Sequence, residues 1–355
     1  MNMIGDRIKQ ARKAAGLSLR ALADGAGITA MAISKYETGK STPSSRVLLS
    51  LSKALAVRTE YFFRPVKVEL QELKHRKHSQ LPKKALEQIE GDVKEQLERF
   101  IELEQLLPNG PLQAFKLPGE LPESITTLDD IEGLARQLRK SWELGVDPIP
   151  VLTDMLEERG IKVFQSQAIN NRFDGMAATV DGIPVIVVGR GWPGDRQRFT
   201  LAHELGHLVL KDRLAPNLDE EAAANRFAGA FLAPEAEVRK ELGANRSWLE
   251  PRELEVLKKA YGLSMQGWMH RAKDLGILPD THYIEMRKFF STRGWNRKEP
   301  GEQYSPERPQ LFDQLVYRAL GQDLISESKA AELLRMPLLE FQRKRSMQDA
   351  RAPAR

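Results

Sequence analysis

RQRFTLAHELGHLVL (196–210) and, after a short interval, EEAAANRFAGAFLAP (220–234) decide how the second half of this 355-residue chain folds. The first stretch reads as part of a helix over 195–211, with Phe199, Leu201, Ala202, Leu205, Leu208 and Leu210 burying it. His203 and His207 stand four residues apart, so their rings leave one face and can share a cation. Glu204 is one residue off that face, within reach of water held there. The chain contains no cysteine, so a metal must be held by His, Asp or Glu. Tetrahedral zinc needs a third protein ligand and an open position. A second helix over 219–233, stopped by Pro234, offers Glu221 as that ligand and Asn225, four residues on, to hydrogen-bond a ligand histidine. Glu220 is the alternative ligand. Ala222, Ala223, Ala224 and Ala228 let the two helices approach closely. Zinc lowers the pKa of bound water to about 7 and polarises a carbonyl; Glu204 would take the water's proton and pass it to the leaving amine. Two competing readings are a pair of helix-surface histidines and an intact metal site that serves structure or sensing.

Working outward, helices are expected over 127–142 and 149–159, then strands over 161–165, 173–180 and 183–188, with a turn at Asp181-Gly182. Pro184 near a strand start suits an edge strand. Helices over 251–260 and 264–275 close this region. His270 reads as a packing residue, with oxyanion stabilisation as the alternative, and His282 carries no signal. After 292 a loop rich in Pro, Gly and charge leads to a helical pair around 308–345. Upstream, 66–107 is charged, with KHRKH at 74–78, whose His75 and His78 read as solvated or near phosphate. Leu86, Ile89, Val93, Leu97, Phe100 and Leu107 there define one apolar helical face, fit either to dock on the next domain or to pair two chains. Pro and Gly break the pattern over 108–122.

The first 64 residues read as five short helices. A stripe through Ile4, Ile8 and Ala11 ends at Gly16, Ser18 caps a second helix, and Thr29 caps a third that runs through Glu37. Residues 38–44 form a loop, and helices follow around 45–56 and 58–63. Ala26-Gly27-Ile28 gives the sharp reversal of a helix-turn-helix. Thr29, Ala30, Met31 and Ser34 would meet base edges, while Arg20, Lys35, Lys40 and Ser41 suit phosphates. Ile28, Ile33 and Tyr36 are core candidates. Residues 1–64 hold 11 Lys and Arg against 4 Asp and Glu, whereas the remainder holds 43 against 45. The positive excess therefore sits where a double-stranded DNA operator would bind.

No apolar run approaches the ~18 residues of a membrane span, and the N-terminus lacks a secretory apolar core, so a cytoplasmic location is the default. GLSLRALADGAGITAMAISKYETGKSTPS (16–44) resembles the Cro/C1 (XRE) family of DNA-binding domains. It departs in opening the second helix with Ser18-Leu19, lacking the glutamine many members use there, and in carrying apolar Ala30 and Met31. FDGMAATVDGIPVIVVG (173–189), with the two helical stretches quoted first, is similar to the ImmA/IrrE metallopeptidases. That resemblance implies His203 and His207 as ligands, Glu204 as catalytic base and a downstream glutamate, falling on Glu221. The tail segment 311–334 also resembles one often attached to such fusions. The expected architecture is mainly α with a small β-sheet: a five-helix DNA-binding domain (1–64), a helical linker (65–122), an α+β zincin-like peptidase domain (123–291) and a helical C-terminal segment (292–355). The resemblance implies a transcriptional regulator with zinc-dependent (alternatively Mn2+-dependent) endopeptidase activity on a cognate repressor, an antitoxin-like partner or itself. The alternative is a regulator whose metallo-domain senses without cleaving. DNA domains of this kind pair over two-fold sites, so a homodimer is expected, with the 82–107 helix or the tail as its interface.

Overall fold

A computed structural model describes residues 3–63, 83–108, 114–166, 173–180 and 182–347. His75, His78 and Asp181 lie outside the described residues. The chain is mainly helical with one small sheet, as the sequence implies. Four helices open it: α1 (Met3–Ala14), α2 (Leu19–Ala26), α3 (Ala30–Glu37) and α4 (Ser45–Leu55). Their starts are set by hydroxyl caps. Ser18 accepts from the Ala21 N–H at 3.0 Å and Thr29 from that of Ala32 at 3.2 Å. Gly27 closes α2 at φ 67°, a left-handed conformation that lets the chain turn sharply into α3. The expected fifth helix is a 3-10 turn (Thr59–Phe63), a stretch too short for several α-type bonds, held by burial of Tyr61 and Phe62. Ile8, Leu22, Ile33, Leu51 and Phe62 are fully buried at the centre of this bundle.

Helix α5 (Lys83–Leu106) settles how the apolar stripe of the connecting region is used. Ile89, Val93, Leu97, Phe100 and Leu103 are buried within the chain, against the sheet and the C-terminal helices. That face is consumed by docking and is not left for a second copy. Elsewhere α5 meets α1. Arg7 and Gln10 both donate to the Glu98 carboxylate, and Lys13 pairs with Glu87 at 3.5 Å. At Gly91 the two backbones nearly touch: a Cβ there would stand 2.6 Å from the Ala14 nitrogen.

Strands β1 (Lys162–Ser166), β2 (Gly175–Val180) and β3 (Ile183–Gly189) form a sheet of order β1-β3-β2. β1 runs parallel to β3 and β2 antiparallel to it. The edge position expected from Pro184 is corrected, because β3 is the central strand. Pro184 is tolerated because β1 begins opposite Val185, so the missing N–H meets no β1 partner. Val163, Ile186 and Val188 belong to the core on one face of the sheet, and Phe164, Val185 and Val187 to the core on the other.

The remaining helices are α6 (Asp130–Ser141), α7 (Leu152–Glu158), α8 (Gly194–Leu210), α9 (Glu220–Leu232), α10 (Glu235–Leu242), α11 (Pro251–Tyr261), α12 (Met265–Asp274), α13 (Asp280–Thr292), α14 (Leu311–Gly321), α15 (Glu327–Leu333) and α16 (Leu338–Arg345). Helix α6 starts later than the pattern suggests because the Asp130 carboxylate accepts from the N–H groups of Thr126 and Thr127, at 2.9 and 2.8 Å, and holds them in a turn. Pro234 ends α9 but also opens α10, a position a helix tolerates because the first N–H groups are unpaired anyway. The expected tail pair is three helices, divided by the Ser326 cap and Pro337. Among the described residues no helix is long and apolar enough to cross a membrane.

The Gly91 contact gives a prediction whose sign discriminates. In an isolated helix Gly→Ala stabilises by about 1 kcal/mol. Here Gly91→Ala is expected to destabilise by about 1–3 kcal/mol, because the methyl group must push α1 away. Calorimetry on the full chain reads it; an increased Tm would refute the α1–α5 docking.

Candidate metal centre and DNA-reading face

Helix α8 is almost wholly buried, with Leu201, Ala202, Leu205, Val209 and Leu210 in the main core. Its N-terminal half lies on the sheet. A Cβ at Gly175 would stand 2.4 Å from the Thr200 side chain, so glycine is what lets α8 settle there, one turn before His203. Helix α9 packs along α8 through small residues: Ala223, Ala224 and Ala228 are fully buried, and a Cβ at Gly206 would lie 2.9 Å from the Phe227 ring. The Asp219 carboxylate accepts from the Ala222 N–H at 2.7 Å and fixes where α9 starts. That start places both Glu220 and Glu221 beside the histidines.

His203 Nε2 and His207 Nε2 stand 2.9 Å apart. Glu221 brings one carboxylate oxygen to 3.3 Å from His203 Nε2 and the other to 3.5 Å from His207 Nε2. A donor atom from each of the three lies within 4.8 Å of the others, the only such group of three or more potential ligands among the described residues. The outer nitrogens are also engaged. His203 Nδ1 is 2.9 Å from Asn225 Oδ1, and His207 Nδ1 is 3.2 Å from Glu220 Oε1. Both oxygens can only accept, so each ring donates from Nδ1 and carries its lone pair on Nε2. Two lone pairs then face each other across 2.9 Å, an arrangement that repels unless a cation or proton lies between them. Glu204 is buried on the same turn, 6% exposed.

The structure thus brings His203, His207, Glu221 and Asn225 together, and puts Glu220 against the back of His207. His270 is elsewhere employed, hydrogen-bonded to Tyr283 Oη at 2.8 Å, with burial holding its pKa below the ordinary histidine value. The sequence reading missed how the N-terminal end of α8 is anchored. Gly194 N–H donates to the Tyr304 carbonyl at 2.9 Å, and Arg198 pairs with Glu307, which also accepts from the Thr153 N–H at 2.8 Å. Lys258 bridges Asp195 at 3.0 Å and Glu299 at 2.9 Å, all three buried. Glu299 and Glu307 come from a loop some hundred residues downstream of the start of α8, and no local pattern announces such a pairing.

At the N-terminal end of the chain, α2 and α3 meet at the Gly27 turn, and Arg12 on α1 grips Glu37 at the end of α3 through two bonds of 2.6 and 2.8 Å. That fork fixes the orientation of α3. Thr29, Met31, Lys35, Lys40 and Ser41 are exposed on α3, its cap and the following loop, Arg20 is exposed on α2, and Ala30 and Ser34 are half-buried. Ile33 is core, with Ile28 and Tyr36 packed against it.

A bundle with an exposed second helix of a helix-turn-helix, followed by an α+β unit with a two-histidine, one-carboxylate cluster, defines the class. Residues 8–62 match the helix-turn-helix family, and residues 156–273 match the IrrE N-terminal-like domain. The chain joins an XRE-type helix-turn-helix domain to an IrrE/ImmA-like domain. It is 39% identical over 62 residues to an SPbeta prophage-derived uncharacterized HTH-type transcriptional regulator of Bacillus subtilis (strain 168), covering 18% of this chain and 57% of that one. It is 40% identical over 60 residues to an uncharacterized transcriptional regulator in the ATPase CF(0) region of Rhodospirillum rubrum, covering 17% and 56%. The chain thus spans little more than half the length of each. A Mycobacterium tuberculosis transcriptional regulator overlays with a TM-score of 0.29 at 16% identity, over 49% of this chain and 51% of that one, a likeness too slight to carry an argument.

The α8–α9 contact is testable without any ligand. Gly206→Ala is expected to cost about 1–3 kcal/mol in urea unfolding, because the Phe227 ring it meets is fully buried. An unchanged midpoint would mean that the helices are not so tightly apposed.

Proposed function

We propose that this chain is a DNA-binding transcriptional regulator whose second domain is a zinc endopeptidase acting on a repressor-like protein or on itself. One observation carries the proteolytic half: the lone pairs of His203 and His207 and the Glu221 carboxylate converge on one point while Asn225 and Glu220 occupy the outer ring nitrogens. The donor set suits the ion. Ligand atoms about 2.0–2.2 Å from a tetrahedral zinc stand roughly 3.3–3.6 Å apart, close to the 2.9, 3.3 and 3.5 Å found. His203, His207 and Glu221 would hold it, leaving a fourth position for water or substrate. When bound, zinc supplies Lewis acidity that makes water a nucleophile near neutral pH and draws charge from a peptide carbonyl. The cysteine-free donor set also accommodates Mn2+.

In this reading Asn225 and Glu220 hold the two rings in one tautomer and one orientation. Glu204 takes a proton from the attacking water as its oxygen bonds to the carbonyl carbon, and gives that proton to the nitrogen as the C–N bond breaks. Carboxylate, water and peptide enter; carboxylate, acid and amine leave. The burial of α8 on both flanks keeps bulk water from competing. In the first domain, Arg20, Lys35, Lys40 and Ser41 take phosphates, while Thr29, Ala30, Met31 and Ser34 face base edges. Two copies over a two-fold operator would satisfy the usual geometry of such domains.

Three measurements test this. Zinc affinity, by chelator competition, should fall more than a hundredfold in Glu221→Ala and about 10–100-fold in Glu220→Ala; a larger loss in Glu220→Ala would exchange their roles. Glu204→Gln should retain one metal per chain yet lose cleavage, seen as new protein N-termini in cells expressing the wild type alone. Identical termini in both, or none in either, would leave a non-cleaving metal-dependent regulator. Lys35→Ala should weaken operator binding and make the slope of log affinity against log salt shallower by about 1. An unchanged slope would remove Lys35 from the phosphate contacts.

A further inference from the structure

The twelve residues RKFFSTRGWNRK (287–298), which end α13 and lead into the anchoring loop, carry five Lys or Arg and no Asp or Glu. Their surroundings in sequence are balanced: over 65–355, Lys and Arg number 43 against 45 Asp and Glu. Arg287, Lys288, Arg293, Arg297 and Lys298 are all exposed. Among the described residues none of the five is in an ion pair, and the neighbouring carboxylates are engaged elsewhere. Glu285 lies 3.2 Å from His282 and Asp280 3.3 Å from Lys273. Glu253 lies 2.8 Å from Arg246, and buried Glu299 2.9 Å from Lys258.

These cations are carried on one compact, fixed unit. Arg287 and Lys288 stand on α13, and after the helix the chain turns at Gly294, φ 71°, and folds back. Trp295 N–H donates to the Phe290 carbonyl at 2.9 Å, and the N–H groups of Arg297 and Lys298 reach the Gly294 carbonyl at 3.1 and 3.3 Å. Trp295 packs edge-on against Phe289 and Phe290, with ring centroids 5.6 and 5.3 Å apart, and Trp248 meets Phe289 at 5.1 Å. The Arg293 guanidinium lies over the Phe289 ring at 3.6 Å. Beyond the turn, Glu299 is tied to the N–H groups of Met265 and Gln266. Like charges set this close repel, and the fold places no opposite charge on them. The helix dipole favours a cation where α13 ends, at Arg293, but Arg287 and Lys288 precede the last turn and Arg297 and Lys298 lie past it.

We propose that this knob is a second DNA-contacting surface, which holds the phosphate backbone of duplex DNA without reading its sequence. A dense, uncompensated array of cations matches a polyanion that carries one charge per about 1.7 Å of duplex. The aromatic rings beneath are spent on one another and are not free to enter a bilayer, so an anionic membrane is the poorer match. Duplex DNA is the polyanion that the helix-turn-helix domain of the same chain brings within reach, at a high effective concentration. Contacts here add affinity and leave the choice of sequence to the first domain. The inference takes the identity of the polyanion from the DNA-binding reading of that domain, and the test keeps the two separable.

The test follows binding of the full chain to a mixed-sequence DNA duplex by fluorescence anisotropy over a range of salt. Arg287→Gln, Lys288→Gln, Arg297→Gln and Lys298→Gln combined should weaken binding about tenfold or more and make the slope of log affinity against log salt shallower by about 2–4. Arg297→Gln with Lys298→Gln serves where the fourfold set lowers the Tm, and should change the slope by about half as much. The charge-keeping set Arg287→Lys, Lys288→Arg, Arg297→Lys and Lys298→Arg should bind as the wild type does. Lys35→Ala with Lys40→Ala weakens the first domain, and adding the glutamine set to it should flatten the slope further. Should the Lys35 and Lys40 pair change nothing while the glutamine set acts, the first-domain reading falls and this surface stands. A glutamine-substituted chain with wild-type Tm and wild-type slope overturns the proposal, as does a charge-keeping set that loses binding. So does a glutamine set that binds DNA normally but no longer binds vesicles of equal parts phosphatidylcholine and phosphatidylserine, since a membrane would then be the partner.

Discussion

The contact that the histidine–carboxylate cluster depends on is the approach of α9 to α8, where a hydrogen atom at Gly206 faces the ring of Phe227 and a methyl group would not fit. The two imidazoles come from one helix and need only the regular four-residue spacing to meet. The carboxylate comes from a second helix, and its distance from them is set by how closely the backbones pack. Alanines at 223, 224 and 228 keep that distance short along the whole contact. The Asp219 cap then fixes the rotation of α9, so that Glu221 reaches the Nε2 atoms while Glu220 reaches the far side of His207. A helix started one residue earlier would turn the pair by about 100° and exchange or lose both contacts.

The other end of α8 is held by charge. Arg198 and Lys258 are almost entirely buried; Arg198 is matched by Glu307 and Lys258 by Glu299, both from the segment after α13, and Lys258 also reaches Asp195 on α8. Burying such pairs contributes little net stability, since desolvation offsets most of the attraction, but leaving either partner alone is costly. The effect is specificity of position: only one placement of the 299–307 segment satisfies both cations. Glu299 also accepts from the N–H groups of Met265 and Gln266, tying the start of α12 to the same anchor. The region after residue 292 is accordingly part of what locates α8, although in sequence it looks like a polar loop.

What could be read from the sequence follows from range. The helix-turn-helix, the strands and the two site helices are encoded by periodicity, caps and turns within a few residues, and the fold reads from them directly. Asn225 and Glu221 were legible as candidates because helical spacing puts them on one face of the second helix; that this face meets the histidines depends on how α9 packs on α8. The apolar stripe of α5 was equally visible, but whether Val93 and Phe100 would meet a second copy or this chain's own sheet depends on contacts more than sixty residues away. The α5–α1 contact had no signal of its own: Gly91 admits the backbone of Ala14, and nothing near it in sequence names that partner. Pro184 suggested an edge because sequence shows what a strand lacks, not where its neighbour begins.

The alternation along β1 has a mechanical consequence. Val163 is packed in the core beneath α8, and the next residue, Phe164, in the core beneath α5. Close-packed interiors transmit displacement rather than absorb it, so a shift of this strand is felt on both faces of the sheet. On one side lie the residues that support His203 and His207. On the other lies α5, which grips α1 through Glu98 and α15 through Lys329 and Glu102. The orientation of the DNA-reading bundle and the environment of the histidine pair are therefore joined through β1 and β3, each of which has residues in both cores.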